Sequence, residues 1–233
     1  MPQGSVYLIP LPISEGVMHT LSPQIATEVA GISHFIVENV RTARRFLKLL
    51  LPSIVIDNLQ FSEIDKHKGA DLKTFRAWLK AGHKIGVMSE AGCPGIADPG
   101  ADIIAIAQEQ NARISPLTGP SSIILALMAS GLNGQSFAFN GYLPVKEPAR
   151  GQRIKYLENL SKKENQTQIV IETPYRNNHL LDDLLKNCQP KTRLCIALDL
   201  SGPVESVRTK TIEVWKQGKP ALAKQPAVFL FLA

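Results

Sequence analysis

KIGVMSEAGCPGIADPG, residues 84–100, is the stretch from which the fold can be read. KIGVMS (84–89) has the apolar, β-branched content of a short strand. SEAGCPGIADPG (89–100), which shares the serine, packs three glycines and two prolines into twelve residues. A strand-to-helix turn needs only about two to six residues, so this loop is longer than chain reversal requires. Glycines admit positive φ and let a backbone approach a ligand, while prolines stiffen the segment. Asp98 and Pro99 are placed to cap and begin the next helix. Neither G-x-G-x-x-G nor G-x-x-x-x-G-K-[ST] occurs in the loop, so the common dinucleotide and triphosphate loops find no support.

Working outward, SVYLIP (5–10), HFIVE (34–38), IVID (54–57) and RISPL (113–117) read as the other strands of the first half. Helical patterns separate them. TLSPQIATEVAG has Ser22 as cap, Pro23 at the first helical position and Gly31 as stop. RTARRFLKLLL (41–51) and GADIIAIAQEQN (100–111) fill two more gaps. ADLKTFRAWLKAG (70–82) puts Leu72, Phe75, Trp78 and Leu79 on one face. Strands alternating with helices predict a mostly parallel five-stranded sheet covered on both sides. Ligands of such sheets bind outside the carboxyl ends of the strands. The loops there are PLPISEG (10–16), ENVR (38–41), the 89–100 loop and LTGPSS (117–122). In ENVR, Glu38 can orient a hydroxyl or take its proton, and Arg41 can grip phosphate; a local ion pair between them is the plainer reading. LTGPSS leads into SSIILALMASG (121–131), apolar nearly all round and therefore expected to be buried. Its hydroxyl-lined start can hold a carboxylate or hydroxyl, or can simply cap the helix.

The second half continues with strands at 136–140, 168–172, 194–200, near 204–209 and 226–232, and helices at 177–187 and 211–217. Strands crowd toward the end, so a mixed sheet is expected. The reading is two abutting α/β domains, residues 1–118 and 119–233. Charge divides along the same line. The chain has 26 Lys+Arg and 20 Asp+Glu, a formal charge of +6. Residues 1–118 hold 11 of each sign, and residues 119–233 hold 15 basic and 9 acidic, so all the excess lies in the second half. Such asymmetry suits a polyanionic partner or a merely solvated surface. KEPARGQRIK (146–155) is the densest basic stretch.

Other classes are excluded. At 44% hydrophobic and 20% charged residues over 233 positions, the composition is neither disordered nor a disulfide scaffold. No apolar run approaches the ~18 residues of a membrane span. The opening MPQGSVYLIPLPISEG lacks a basic n-region and long apolar run, so no secretory leader is expected. Cys93, Cys188 and Cys195 are scattered and odd in number, which fits the cytoplasm. The five histidines (His19, His34, His67, His83, His179) show no metal-ligand spacing, so no metal is expected. No G-x-S-x-G elbow exists, and Cys93 is read as packing rather than as a nucleophile.

Taken in order, these segments resemble the tetrapyrrole-methylase superfamily of S-adenosylmethionine-dependent methyltransferases. Within it they resemble most the branch that 2′-O-methylates a cytidine ribose in small-subunit ribosomal RNA. YLIPLPI matches the first-strand loop, ENVR the E-D-T-R position, and SEAGCPGIADPG the S-D-A-G-x-P-x-x-x-D-P-G loop. LTGPSSIILALMASGL matches the L-P-G-P helix start, FNGYLPVKEPAR the G-F-L-P-x-K stretch, and ETPYR a later E-S-x-H-R segment. The resemblance implies a tetrapyrrole-methylase-like enzyme, usually a homodimer, with its cofactor in the cleft between two α/β domains. Ser89, Glu90, Ala91, Gly92, Cys93 and Pro94 would border S-adenosylmethionine. So would Pro10, Thr118, Ser121 and Ser122, and from the later strands Tyr142, Leu198 and Ala227.

The reaction implied is in-line attack of an acceptor oxygen on the sulfonium methyl, for which alignment supplies much of the rate. Glu38 and Arg41 become the candidate catalytic pair, and Lys146, Arg150 and Arg153 the candidate substrate contacts. Ribosomal RNA, or the small ribosomal subunit, is the partner expected. Some positions depart from the branch. Asn39 and Val40 stand in place of the D-T of E-D-T-R. In ALDLSGPVE (197–205), Leu198 and Gly202 replace two basic side chains, and Pro226-Ala227 replaces a K-G-E ending. Two other readings stay open: the same chemistry on a tetrapyrrole or other small acceptor, and a non-catalytic protein that binds cofactor or RNA.

Overall fold

The computed structural model describes residues 4–65, 69–222 and 224–233. The first three residues of the opening segment and His67 lie outside the described residues. The chain divides into two compact units between Ser121 and Ser122.

In the first unit, β1 (Ser5–Leu8), β2 (His34–Val37), β3 (Gln60–Glu63), β4 (Lys84–Met88) and β5 (Arg113–Pro116) form one sheet in the order β3-β2-β4-β1-β5, with every pairing parallel. The helices between them are α1 (Gln24–Val29), α2 (Val40–Leu50), α3 (Leu72–Lys80) and α4 (Ala101–Glu109). Apolar clusters lie on both faces. One gathers Phe35, Phe46 and Leu47 with Ile9 and Val29; the other gathers Phe75, Leu79, Val87 and Ile103. Gly86 lets the central strand accept this packing, because a Cβ there would come within 2.7 Å of Ile9 Cδ1 and 2.8 Å of the Phe35 ring. The chain leaves neighbouring β1 and β4 toward opposite ends of the sheet, which opens a crevice at their carboxyl ends.

Local signals explain several boundaries. Asn39 Oδ1 accepts from Thr42 N at 3.0 Å and caps α2. Asn and Asp cap about equally well, so the departure from an acidic residue at 39 keeps the helix start. Asp71 Oδ1 caps α3, accepting from Lys73 N and Thr74 N at 3.1 Å. Two expectations move. The third strand is QFSE at 60–63, not IVID at 54–57. Ile54 and Ile56 instead pack on the core from a turn, and an edge strand needs less apolar content than a central one. Pro23 precedes α1 rather than opening it, although Ser22 Oγ does accept from Gln24 N at 3.3 Å.

The second unit begins with α5 (Ser122–Ser130). Its sheet holds β6 (Phe137–Tyr142), β7 (Thr167–Glu172), β8 (Arg193–Leu198), β9 (Ser206–Thr211) and β10 (Ala227–Leu232), in the order β6-β7-β10-β8-β9. Only β6 and β7 pair in parallel, so the sheet is mixed. α6 (Ala149–Glu164), α7 (Asn177–Asn187) and α8 (Ile212–Gln217) complete the unit. Its core joins Ile154, Leu157, Leu180 and Leu184 to Phe229, Phe231 and Trp215. The expectation that α5 is buried all round fails. Ile123, Ala126 and Leu127 are covered, but Met128 is 75% exposed and Ile124 44%.

Candidate functional site

The loops leaving β1, β4 and β5 are interlocked at the carboxyl edge of the first sheet. Leu11 N donates to Gly92 O at 2.9 Å, and Gly92 N returns the bond to Leu11 O at 3.1 Å. Leu117 N donates to Leu8 O at 3.0 Å, and the Cys93 thiol donates to Pro120 O at 3.4 Å. Burial, with Asp98 nearby, pushes the Cys93 thiol up, so it stays a protonated donor. Gly119 rests against Pro10 so closely that a Cβ there would collide with the proline ring. Gly92 holds φ +65, and a Cβ on it would lie 3.4 Å from Ile13 Cγ2. Ser89 Oγ donates to Ala91 O at 2.9 Å, which folds the turn back on itself. Ser89, Gly92 and Pro94 are thus buried in the floor, while Glu90 and Ala91 face outward.

Beside this floor lie three carboxyl groups. Glu38 Oε2 accepts from Glu90 N at 3.1 Å, and Glu90 Oε1 accepts from Thr42 Oγ1 at 3.4 Å. Glu38 and Arg41 form no ion pair among the described residues, so the local pairing expected for ENVR is absent; Arg41 is exposed. Asp98 does not cap α4. The cap position is Gly100, at φ +131 and with no side-chain hydrogen bond. Asp98 stands near Glu38 and Glu90 instead. Burial first, then the Glu38 charge, pushes its carboxyl up to about 6. The nearby Ser89 hydroxyl pulls the other way, and the Glu90 charge adds to the rise. The sequence showed Asp98 only as a helix-start residue; its charge environment needs contacts some 60 residues apart in the chain.

In the second unit, strand register aligns residues distant in sequence. Tyr142 pairs with Ile171, and Ala227 lies between Glu172 and Leu198. Tyr142, Ala227 and Leu198 therefore share one sheet edge, and Ser122 begins α5. Glu172, not singled out from the sequence, sits on that edge and anchors the following turn. Its Oε1 accepts from Thr173 N at 2.7 Å and from Arg176 Nε at 3.0 Å. The ETPYR segment was the available signal.

The turn after β8 closes on Asp199, whose Oδ2 accepts from Val204 N at 3.0 Å. Gly202 is packed against that carboxylate with no room for a Cβ. A side chain at 202 would therefore have to displace the Asp199 carboxylate from Val204 N. Among the basic candidates, Lys146 and Arg153 are exposed, but Arg150 is not. Its Nε donates to Pro144 O at 2.9 Å, another donor reaches Val145 O, and Nη1 lies 3.0 Å from Asp183. Arg150 is thus corrected from a substrate contact to an internal brace of the 144–146 loop, because burial commits its guanidinium to internal partners.

No protein-family model matches the chain. A ribosomal RNA small subunit methyltransferase I from Synechocystis is 30% identical over 198 residues, covering 85% of this chain and 67% of the relative. The chain belongs to the ribosomal RNA small subunit methyltransferase I family. A Vibrio cholerae member is 28% identical over 210 residues, covering 89% of this chain and 69% of its own length. The chain thus spans about two thirds of these relatives.

Solved structures share the fold. The methyltransferase CobJ superposes with a TM-score of 0.62 at 16% identity, over 98% of this chain and 94% of its own. Uroporphyrin-III C-methyl transferase from Thermus thermophilus, complexed with S-adenyl homocysteine, gives 0.54 at 17% identity over 98% and 97%. Members of this family are named methyltransferases, and S-adenosylmethionine is the cofactor that the sequence resemblance implies. The first unit's residues fit that cofactor chemically. Its loops approach so closely that backbone groups form much of the surface, and Glu38, Glu90 and Asp98 have no cationic partner among the described residues. Such a surface suits a ligand that carries an ammonium and a sulfonium.

Proposed function

We propose that this chain transfers a methyl group from S-adenosylmethionine to a ribose 2′-hydroxyl of small-subunit ribosomal RNA. The observation that carries the reading is the interlocked β1, β4 and β5 loop floor with Glu38 beside it, in a chain whose relatives are ribosomal RNA small subunit methyltransferases. The cofactor contacts proposed on the first unit are Pro10, residues 89–94, Thr118 and Ser121, and those proposed on the second are Ser122, Tyr142, Leu198 and Ala227. Bound S-adenosylmethionine supplies an already activated methyl group.

The chain's own residues supply alignment and proton handling. Glu38 Oε2 is engaged by Glu90 N, which leaves Oε1 to accept the hydroxyl proton or hold it in line. Arg41, exposed and without an ion pair among the described residues, grips a phosphate beside the acceptor. Lys146 and Arg153 extend the contact. Three free cysteines support a reducing cytoplasm. The exposed apolar side of α5, with Ile124 and Met128, supports a homodimer. Neither a metal nor a membrane enters the reading; among the described residues no helix is long and apolar enough to cross a membrane.

The test is methyl transfer from labelled S-adenosylmethionine to small ribosomal subunits from a strain lacking the gene. Label is expected on a ribose 2′-oxygen of the subunit RNA. Label found only in a tetrapyrrole mixture would overturn the substrate, and cofactor binding without any transfer would overturn catalysis.

A further inference from the structure

The second unit exposes every tyrosine it has. Tyr142, Tyr156 and Tyr175 are 57%, 56% and 76% exposed, whereas Tyr7 of the first unit is buried. Two of the three lie beneath a cation. Arg153 Cζ is 5.0 Å from the Tyr156 ring centroid, and Lys224 Nζ is 5.4 Å from that of Tyr175. Pairs of this kind are common on protein surfaces, so proximity alone carries nothing. Arg153 has more. Its Nη2 donates to Asn140 Oδ1 at 3.3 Å, which ties α6 to β6 and holds the guanidinium over the ring. No carboxylate neutralises it among the described residues. Arg153 and Tyr156 lie three apart on α6 and so share a face. Lys146 and Lys155 are exposed nearby in sequence, in the unit that carries all the net positive charge.

We infer that Arg153 and Tyr156 form a stacking platform for an unpaired base of single-stranded RNA, with Lys146 contacting a flanking phosphate. An exposed ring offers a face to any base, and a planar guanidinium held in place adds both charge and stacking. The basic surface matches a polyanion, and a duplex would keep its base faces inside the helix. Asn140 is a positioning residue that acts through Arg153. The inference rests on the RNA reading above and names where the strand is held.

Fluorescence anisotropy on the full chain provides the test. The probes are a short single-stranded oligoribonucleotide and a blunt RNA duplex of the same sequence. Tyr156→Ala is expected to weaken single-strand binding about tenfold, while Tyr156→Phe retains it. Arg153→Lys is expected to lose several-fold despite keeping its charge, because an ammonium does not stack. Thermal melting and S-adenosylmethionine calorimetry are expected to match the wild type in all three. Single-strand binding by Tyr156→Ala within twofold of wild type overturns the platform. So does equal loss of strand and duplex binding. Wild-type protein that methylates subunits while Tyr156→Ala binds RNA normally removes the platform alone. Wild-type protein that neither binds RNA nor methylates subunits removes the RNA reading with it.

Discussion

The two units use the same helix and strand vocabulary for opposite surfaces. The first is wholly parallel and charge-balanced, buries its tyrosine, and crowds carboxyl groups beside a floor of interlocked loops. The second is mixed, carries the +6, and turns three tyrosines outward. A parallel sheet brings the carboxyl ends of all its strands to one edge, where backbone loops can meet a small ligand. The second unit uses side chains on β6 and α6 instead, which suits a long charged partner better than a compact one. On the roles proposed above, the first unit carries Glu38, Arg41 and most of the cofactor loops, and the second carries the stacking surface for RNA.

The largest effect that would sharpen this division is on turnover. Glu38→Gln is expected to cut methyl transfer by about a hundredfold or more, with cofactor affinity by calorimetry little changed. Full turnover would remove the base or orienting role from the first unit. Gly119→Ala tests the interlocked floor. A methyl group against the Pro10 ring is expected to cost about 3 kcal/mol of stability, read as a lower denaturant midpoint, and to weaken S-adenosylmethionine binding. Unchanged cofactor affinity would break the link between loop packing and ligand.

In the second unit, Gly202→Lys restores the basic side chain of the family pattern but displaces the Asp199 carboxylate from Val204 N. A loss of about 1–2 kcal/mol is expected. Pairing it with Asp199→Ala should recover part of the loss in the same unfolding assay; no recovery would refute the clash with the Asp199 carboxylate. The smallest effect concerns Asp98. Its carboxyl is raised from 3.8 to about 6 in the folded chain, so the native state binds the extra proton. Stability then falls as pH rises from about 4 to about 6 and stays lower above that. Asp98→Asn lacks this slope. It should be more stable above pH ~6 by about 1 kcal/mol, solvent screening of the half-exposed carboxylate reducing the rest. Parallel stability profiles for the two proteins would show that the acidic edge carries no such strain.

Local patterning was enough for much of this. The 89–100 loop, the alternation of strands and helices, the mixed character of the second sheet and the charge asymmetry were all legible in the chain. So was the family, through motifs lying in order. These are short-range properties: glycine and proline content, apolar period and charge counts need no knowledge of what packs where. The displaced third strand, the exposed side of α5, the inward turn of Arg150, the uncapped Asp98 and the Arg153–Tyr156 pair were not legible in the same way. All but the last depend on which distant segment arrives beside them, and the Arg153–Tyr156 pair on the α6 helix and on Asn140 of β6. A basic residue near a helix start looks the same in sequence whether it faces water, as Arg153 does, or is itself buried against a carboxylate, as Arg150 is against Asp183. Composition and periodicity were sufficient for the kind of fold and its chemistry, while burial and register, set by long-range packing, selected which side chains remain available to perform it.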